Sequence, residues 1–170
     1  LAFADTCIPL PGGQSMLMPK LEGRLLQALS PAASERMLEV GTGSGFMTAC
    51  LAALGGRVTS LEILPELAAM ARTKLAAWRG AEVQNTDVFG FAPTERFDVI
   101  ALTGSLPVYD RRFEDWLAVG GRLFVVSGNA PRMEARLVRR LAETEWATEI
   151  LLETVVPPLM NAPGHQAFIF

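Results

Sequence analysis

Three glycines interrupt the chain directly after an apolar run, in the sequence EVGTGSGF at residues 39–46. Glycine lets the backbone turn tightly and approach a ligand closely, and a loop of this kind between a strand and a helix is a common ligand site. The fingerprint for a dinucleotide requires glycine at positions 41, 43 and 46, but position 46 is Phe. A Walker phosphate loop is excluded because no Gly-Lys-Ser/Thr sequence follows. The loop therefore predicts close backbone contact with a ligand, without a requirement for phosphate.

Acidic residues stand at the ends of three successive predicted strands: Glu39 just before the glycine loop, then Glu62, then Asp87. An acid at the position of Glu62 commonly hydrogen-bonds ribose hydroxyls, whereas Glu39 would repel a phosphate and attract an amine or another cation. Taken singly, Glu62 is more typical of a solvated strand end, and Asp87 of a turn or a helix cap. Their joint placement favours a nucleoside with a zwitterionic tail and a positive centre, a description that S-adenosylmethionine fits.

The elements that would position these residues alternate between strand and helix. Apolar runs predict strands at residues 36–41, 57–63, 81–87, 97–104 and 122–128, and apolar spacing predicts helices at 20–29, 45–54, 65–78 and 110–118. Residues 131–143 predict a further amphipathic helix with arginines on its outer side, and residues 148–159 and 165–170 predict two final strands. We therefore expect an α/β fold with a doubly wound, mostly parallel seven-stranded sheet, helices on both faces and an antiparallel C-terminal strand pair.

Length and composition fit one domain, because a chain of 170 residues that is 50% hydrophobic can bury a large core. We interpret residues 1–19 as an N-terminal loop and residues 20–170 as a single domain. The net charge of −3 argues against nucleic-acid binding over the whole domain, and no apolar run is long enough to span a membrane. Cys7 and Cys50 form no metal or redox motif, so we predict no metal site and a cytoplasmic location.

Several longer segments, at residues 37–52, 58–63, 97–107 and 117–128, resemble the class I methyltransferases. Three local features narrow the resemblance to the protein-L-isoaspartate O-methyltransferases. The sequence IPLPGGQSMLMP (8–19) is similar to that family's loop L-P-x-x-x-G-Q-T-I-S-Q-P, TGSLP (103–107) to its G-A-A-P loop, and residues 151–170 to its final strand pair. The resemblance extends from about Ile8 to the C-terminus, and the chain would lack a helical segment that usually precedes the loop.

The resemblance implies methyl transfer from S-adenosylmethionine to the free carboxylate of isoaspartyl residues in peptides or proteins, a repair reaction. Gly41 and Gly43 would pass under the methionine part of the cofactor, Glu62 would bind the ribose, and Asp87 with Val88 would flank the adenine. The cofactor-binding positions that the resemblance implies are Glu39, Val40, Gly41, Thr42, Gly43, Glu62, Ile63, Asp87 and Val88.

The substrate side, by the same resemblance, would be formed by the N-terminal loop and the TGSLP loop. Gln14 and Pro19 belong to the first, and Thr103 and Ser105 are polar candidates for peptide binding in the second. Ordinary loop polarity explains Thr103 and Ser105 as well, so both interpretations remain open.

The N-terminal loop departs from the family pattern at the active-site serine. Gln14 and Pro19 keep the family spacing, so the loop aligns without a gap and the serine position falls on Leu17. A leucine cannot donate a hydrogen bond to a carboxylate or to the cofactor, and we expect weaker orientation of the substrate. Ser15 falls on the neighbouring threonine position and would substitute only if the loop shifted.

Methyl transfer to a carboxylate needs neither a general acid nor a general base. With an ordinary pKa of about 4, the carboxylate is ionised at neutral pH, and the sulfonium leaves as a neutral thioether. Alignment and exclusion of water are then the tasks of the protein. We accordingly interpret the only histidine, His165, as a surface or turn residue.

Leu17 leaves two alternatives to isoaspartyl methylation. One is a related methyltransferase with another acceptor, either a small molecule or RNA, of which the net negative charge disfavours RNA. The other is a catalytically impaired domain that binds the cofactor or a partner.

Overall fold

A computed structural model describes residues 4–164 and shows a seven-stranded sheet in the order β3-β2-β1-β4-β5-β6-β7. The strands are β1 Arg36–Val40, β2 Arg57–Glu62, β3 Ala81–Asn85, β4 Phe97–Leu106, β5 Leu117–Asn129, β6 Arg132–Ala142 and β7 Glu145–Glu153. The helices are α1 Pro19–Leu29, α2 Phe46–Ala53, α3 Pro65–Leu75 and α4 Arg112–Asp115.

Strand β1 lies at the centre of the parallel half of the sheet, paired with β2 on one side and β4 on the other. Its residues Met37, Leu38 and Val40 are buried, which explains the continuous apolar run in the sequence. Helices α1 and α2 pack with Met37 on one face, and Phe113 of α4 packs with Leu38 on the other. The strand order reverses between β1 and β4, which is where open α/β sheets bind ligands.

The predicted fold class is confirmed: the sheet has seven strands, is mostly parallel, and has helices around it. Strand β6 pairs in antiparallel fashion with both β5 and β7, so the sheet ends in antiparallel strands in the C-terminal part of the chain, as predicted.

The helix predicted at residues 131–143 is wrong, because this segment forms strand β6. Met133, Ala135 and Leu137 alternate into one core cluster while Val138 joins the cluster on the other face. Apolar residues at these positions satisfy a period of two as well as a helical period, so the local pattern does not distinguish them. Strand β6 pairs with β5 and β7 on its two edges, and this pairing satisfies its backbone hydrogen bonds.

The C-terminal part also differs from expectation in its boundaries. Strand β7 ends at Glu153, well before the end of the strand predicted at 148–159. Residues 154–162 then leave the sheet, and residues 157–159 lie beside β4, with Ser105 N–H donating to the Pro157 carbonyl at 2.9 Å and Leu159 N–H donating to the Ser105 carbonyl at 2.9 Å. The strand predicted at 165–170 and His165 lie outside the described residues. No helix in the described part of the chain is long and apolar enough to cross a membrane.

Candidate functional site

A cleft that is partly open to solvent lies at the carboxyl ends of the parallel strands β1 to β4. Its walls come from the N-terminal loop, the glycine loop, the ends of β2, β3 and β4, and the C-terminal segment. The sequence-predicted site residues that line it are Gln14, Ser15, Leu17, Val40, Gly41, Gly43, Glu62, Ile63, Asp87, Val88 and Thr103. The fold therefore brings together residues that are up to ninety positions apart in the sequence.

The glycine loop has a backbone that only glycine adopts easily, with φ of 95° at Gly41 and 52° at Gly43. A Cβ atom at Gly41 would overlap the Thr103 hydroxyl. That hydroxyl lies 2.9 Å from the Val40 carbonyl oxygen and 2.6 Å from that of Gly41, and it donates to this pair. Thr103, a predicted substrate residue, therefore holds the glycine loop in place as well as lining the cleft.

Glu62 is a buried carboxylate that binds the glycine loop through one oxygen and the start of α3 through the other. Its Oε2 accepts a hydrogen bond from the Gly43 N–H at 2.9 Å, and its Oε1 accepts one from the Leu64 N–H at 3.0 Å. Each carboxylate oxygen can accept a further hydrogen bond. Glu62 thus shapes the loop and still has acceptor capacity toward the cleft that it lines.

Asp87 caps the short 3₁₀ turn Val88–Gly90, with its Oδ1 accepting from the Phe89 N–H at 2.9 Å. Its Oδ2 accepts from the Asn161 side chain at 2.9 Å, which links the end of β3 to the C-terminal segment. The capping role that the sequence allowed is present, and Asp87 and Val88 also line the cleft.

Glu39 lies under the glycine loop and is fully buried. Its Oε2 accepts hydrogen bonds from the hydroxyls of Thr48 and, at 2.7 Å, of Ser60. Its Oε1 has no hydrogen-bond partner among the described residues. Burial raises the pKa of Glu39 to about 7; the Thr48 and Ser60 hydrogen bonds lower it, and the charges of Glu62 and Glu22 raise it.

A second, smaller pocket, which we call the glycine-loop chamber, lies beside the cleft. Its lining includes Glu22, Glu39 and Thr42 together with Gly41, Gly43, Ser15 and Leu17, which border both spaces. Thr42 is buried, with its Oγ1 2.5 Å from the Ser60 hydroxyl oxygen. Glu39 and Thr42 are therefore placed at the chamber, whereas Glu62 and Asp87 are placed at the cleft.

The N-terminal loop folds as a small hairpin over these spaces. Leu10 N–H donates to the Gln14 carbonyl and Met16 N–H to the Ile8 carbonyl, each at 2.8 Å. Pro19 begins α1 and so fixes where the loop ends. The side chain of Leu17 packs against the core cluster that contains α1, and it presents no hydrogen-bonding group to either space.

Ser105 is placed differently from the other predicted residues. It is 1% exposed, and its hydroxyl donates to the Val156 carbonyl at 2.7 Å. It is absent from the residues that line the cleft. Within the described part of the chain its contacts hold the C-terminal segment against β4.

The sequence model of the protein-L-isoaspartate(D-aspartate) O-methyltransferase family matches residues 1–162. The chain belongs to this family. It is 30% identical over 168 residues to a protein-L-isoaspartate O-methyltransferase of Magnetococcus marinus, covering 97% of this chain and 74% of that protein. It is 36% identical over 167 residues to one of Anaeromyxobacter dehalogenans, covering 95% and 80%.

Solved structures agree with the family assignment at the level of fold. A Plasmodium falciparum chain described as a protein-L-isoaspartate O-methyltransferase in complex with S-adenosyl-L-homocysteine superposes with a TM-score of 0.81 at 17% identity, covering 94% of this chain and 82% of that one. Another protein-L-isoaspartate O-methyltransferase gives a TM-score of 0.83 at 19% identity, covering 95% of this chain and 54% of that one.

Sequence reasoning missed two parts of the site. The segment Val155–Met160 lines the cleft, although residues 148–159 were predicted as a strand. Glu22 lines the chamber, and its position was detectable because Glu22, Leu25 and Leu29 share the i, i+3, i+7 spacing of one helix face. Among residues 4–164, no group of three or more His, Cys, Asp or Glu is placed to hold a metal ion.

Proposed function

We propose that this chain uses S-adenosylmethionine to methylate the free carboxylate of isoaspartyl residues in peptides or proteins. Its membership of the family supports the reaction class. The observation that supports the cofactor most directly is that the glycine loop, Glu62 and Asp87 line one cleft at the switch point of the sheet.

The residues present fit this cofactor. Gly41 and Gly43 leave the loop backbone without side chains, and Glu62 keeps acceptor capacity for ribose hydroxyls. Val88 offers an apolar surface and Asp87 a carboxylate where the adenine would lie, and Ile63 follows Glu62 along the same wall. The unpartnered Oε1 of Glu39 offers an acceptor beneath the loop, beside Thr42.

When bound, the cofactor supplies an electrophilic methyl group on a sulfonium whose departure as a thioether needs no proton. The chain's own residues bind, orient and exclude water. The N-terminal hairpin and the C-terminal segment both line the cleft and form part of its wall. An isoaspartyl carboxylate is ionised at neutral pH, so this reaction requires no general base.

Two measurements test the proposal. Calorimetry with S-adenosylhomocysteine should show saturable binding that Glu62→Gln weakens, because one of the two acceptor oxygens of Glu62 becomes a donor. Transfer of a labelled methyl group should occur to an isoaspartyl peptide and not to the same peptide with a normal aspartyl linkage. Binding without transfer to either peptide would contradict the isoaspartyl activity and leave a methyltransferase with another acceptor or a domain that only binds the cofactor.

Leu17 favours a second candidate, a methyltransferase with a different acceptor, because it lacks the hydroxyl expected to orient a carboxylate. We expect Leu17→Ser to raise kcat/KM for the isoaspartyl peptide by about tenfold or more, the scale of one transition-state hydrogen bond. Leu17→Ala is the matched control, since it removes the same bulk and adds no donor. If the two variants behave alike, the missing hydroxyl does not limit the reaction, and Ser15, which already lines the cleft, becomes the next residue to replace.

We also propose the cytoplasm as the compartment, because Cys7 is an exposed free thiol and such thiols persist where the environment is reducing. Mass spectrometry of the protein isolated from cells under alkylating conditions should find Cys7 unoxidised.

A further inference from the structure

Two carboxylates from different elements face the glycine-loop chamber. Glu22 comes from α1 and is 8% exposed, and Glu39 comes from β1 and is fully buried. In the described part of the chain neither carboxylate forms an ion pair with Lys or Arg. The Glu39 Oε1 is the acceptor left without a partner.

An unpartnered charge at such a depth is unfavourable unless a proton or a cation neutralises it. Burial raises the pKa of Glu22, and it raises that of Glu39 to about 7, where the negative charges of Glu62 on β2 and Glu22 add to the effect. Cys50 on α2 responds to the same charges: burial and the charges of Glu22 and Glu39 raise the pKa of its thiol. The described residues that line the chamber are all acidic or neutral, and at its border the Lys74 ammonium of α3 donates to the Ser44 carbonyl at 3.4 Å.

We propose that Glu22 and Glu39 share one proton in the free protein and release it to solvent when an ammonium group enters the chamber. The inference rests on the proposed function, and the ammonium group is that of the amino-acid tail of the cofactor. No bond to carbon changes: the proton leaves the carboxylate pair for the buffer, and the ammonium charge takes its place.

The position of the chamber makes this assignment specific to the tail. Gly41 and Gly43 border both the cleft and the chamber, so a ligand whose nucleoside lies against Glu62 reaches the chamber past the loop backbone. In this proposal Glu22 acts together with Glu39, and the two set the charge of the chamber that receives the amino-acid tail. A ligand that lacks the tail has no group to displace the proton.

Calorimetry in buffers of different ionisation enthalpy measures the protons released on binding. For S-adenosylhomocysteine at pH 6, where its amino group is protonated, we expect about one proton released per molecule bound. Its Kd should be about tenfold or more weaker at pH 5.5 than at pH 8, since the pair must lose a proton to bind. The probe 5′-methylthioadenosine, which lacks the amino-acid tail, should bind without proton release.

Glu39→Gln should reduce the proton release to less than half and flatten the pH dependence of Kd, and Glu22→Gln should reduce both to a smaller but measurable extent, because burial still raises the pKa of Glu39. Glu66→Gln is the matched control, because Glu66 is an exposed carboxylate in the first turn of α3, and it should behave as the parent protein. Glu22→Gln keeps the test valid if Glu39→Gln fails to fold, because Glu22 lies on the more accessible side of the chamber.

Two outcomes would overturn the inference, and they are distinguishable from failure of the proposed function. Saturable binding of S-adenosylhomocysteine with no proton release would leave the cofactor assignment intact and contradict the proposal that Glu22 and Glu39 share a proton. Equal proton release on binding of 5′-methylthioadenosine would show that the amino-acid tail does not cause the release. Absence of any binding by the parent protein overturns the proposed function, and the inference with it.

Discussion

Gly41 occupies a position where a side chain would overlap the Thr103 hydroxyl that holds the loop. We expect Gly41→Ala to lower the free energy of unfolding by about 2 kcal/mol, because it adds a steric conflict to a positive φ. Gly120→Ala is the control: Gly120 has a φ of 83° and open space around it, so it reports the backbone cost alone, about 1 kcal/mol. Urea unfolding compares the two variants. Equal losses of unfolding free energy would show that the Thr103 side chain moves aside at no energetic cost.

Glu39 makes the stability of the free protein depend on pH. Its pKa is about 7 in the folded chain and near 4.5 when unfolded, so the folded state holds the extra proton between these values. Stability therefore falls as pH rises from about 4.5 to 7, by an upper limit of about 3 kcal/mol, and stays lowered above that.

Glu39→Gln should remove most of this slope, so the variant should be more stable than the parent at pH 8 and differ little at pH 4.5. Urea unfolding of the free protein across this range is the measurement. A parent and a variant whose stabilities change in parallel with pH would show that Glu39 stays ionised in the fold.

At the scale of elements, pairing with β5 and β7 makes β6 a strand, although the spacing of its apolar residues also allows a helix. Arg139 is exposed on this strand, opposite Arg122 of β5 and Ala147 of β7. Both Arg139→Val and Arg139→Ala remove the like charge opposite Arg122, and they differ in their preference for strand or helix. We expect the Val variant to be more stable than the Ala variant by up to about 1 kcal/mol in thermal unfolding, whereas a helix would reverse the order.

The sequence predicts those parts of the site that follow directly from the order of strands along the chain. The glycine loop follows β1, and Glu62 and Asp87 end or follow β2 and β3, so parallel pairing alone brings them to one edge. The contact of Thr103 with the Val40 carbonyl, between residues 63 positions apart, depends on how β4 lies beside β1. The same holds for Glu22, whose charge acts on Glu39 only because α1 packs over that end of β1.

The whole molecule closes its cleft with the two ends of the described chain. The hairpin at residues 8–16 and the segment at residues 154–162 both leave the regular elements and lie at the same edge of the sheet. Polar anchors fix the second segment: Asn161 donates to Asp87, and the Ser105 hydroxyl donates to Val156. The cleft is therefore complete only when the C-terminal segment is docked against β4.

Ser105→Ala tests this docking. Removing the hydroxyl leaves the buried Val156 carbonyl without that donor, and we expect a loss of about 1–2 kcal/mol in unfolding free energy. Because Val156 belongs to the cleft wall, the Kd for S-adenosylhomocysteine should also weaken, by about threefold to tenfold, a loss of the same order in free energy. Ser127→Ala is the matched control, since Ser127 is also a buried strand serine, but its hydroxyl makes no hydrogen bond among the described residues and it lies away from the cleft. If Ser105→Ala loses stability and binds as the parent does, the C-terminal segment stabilises the sheet without shaping the ligand site.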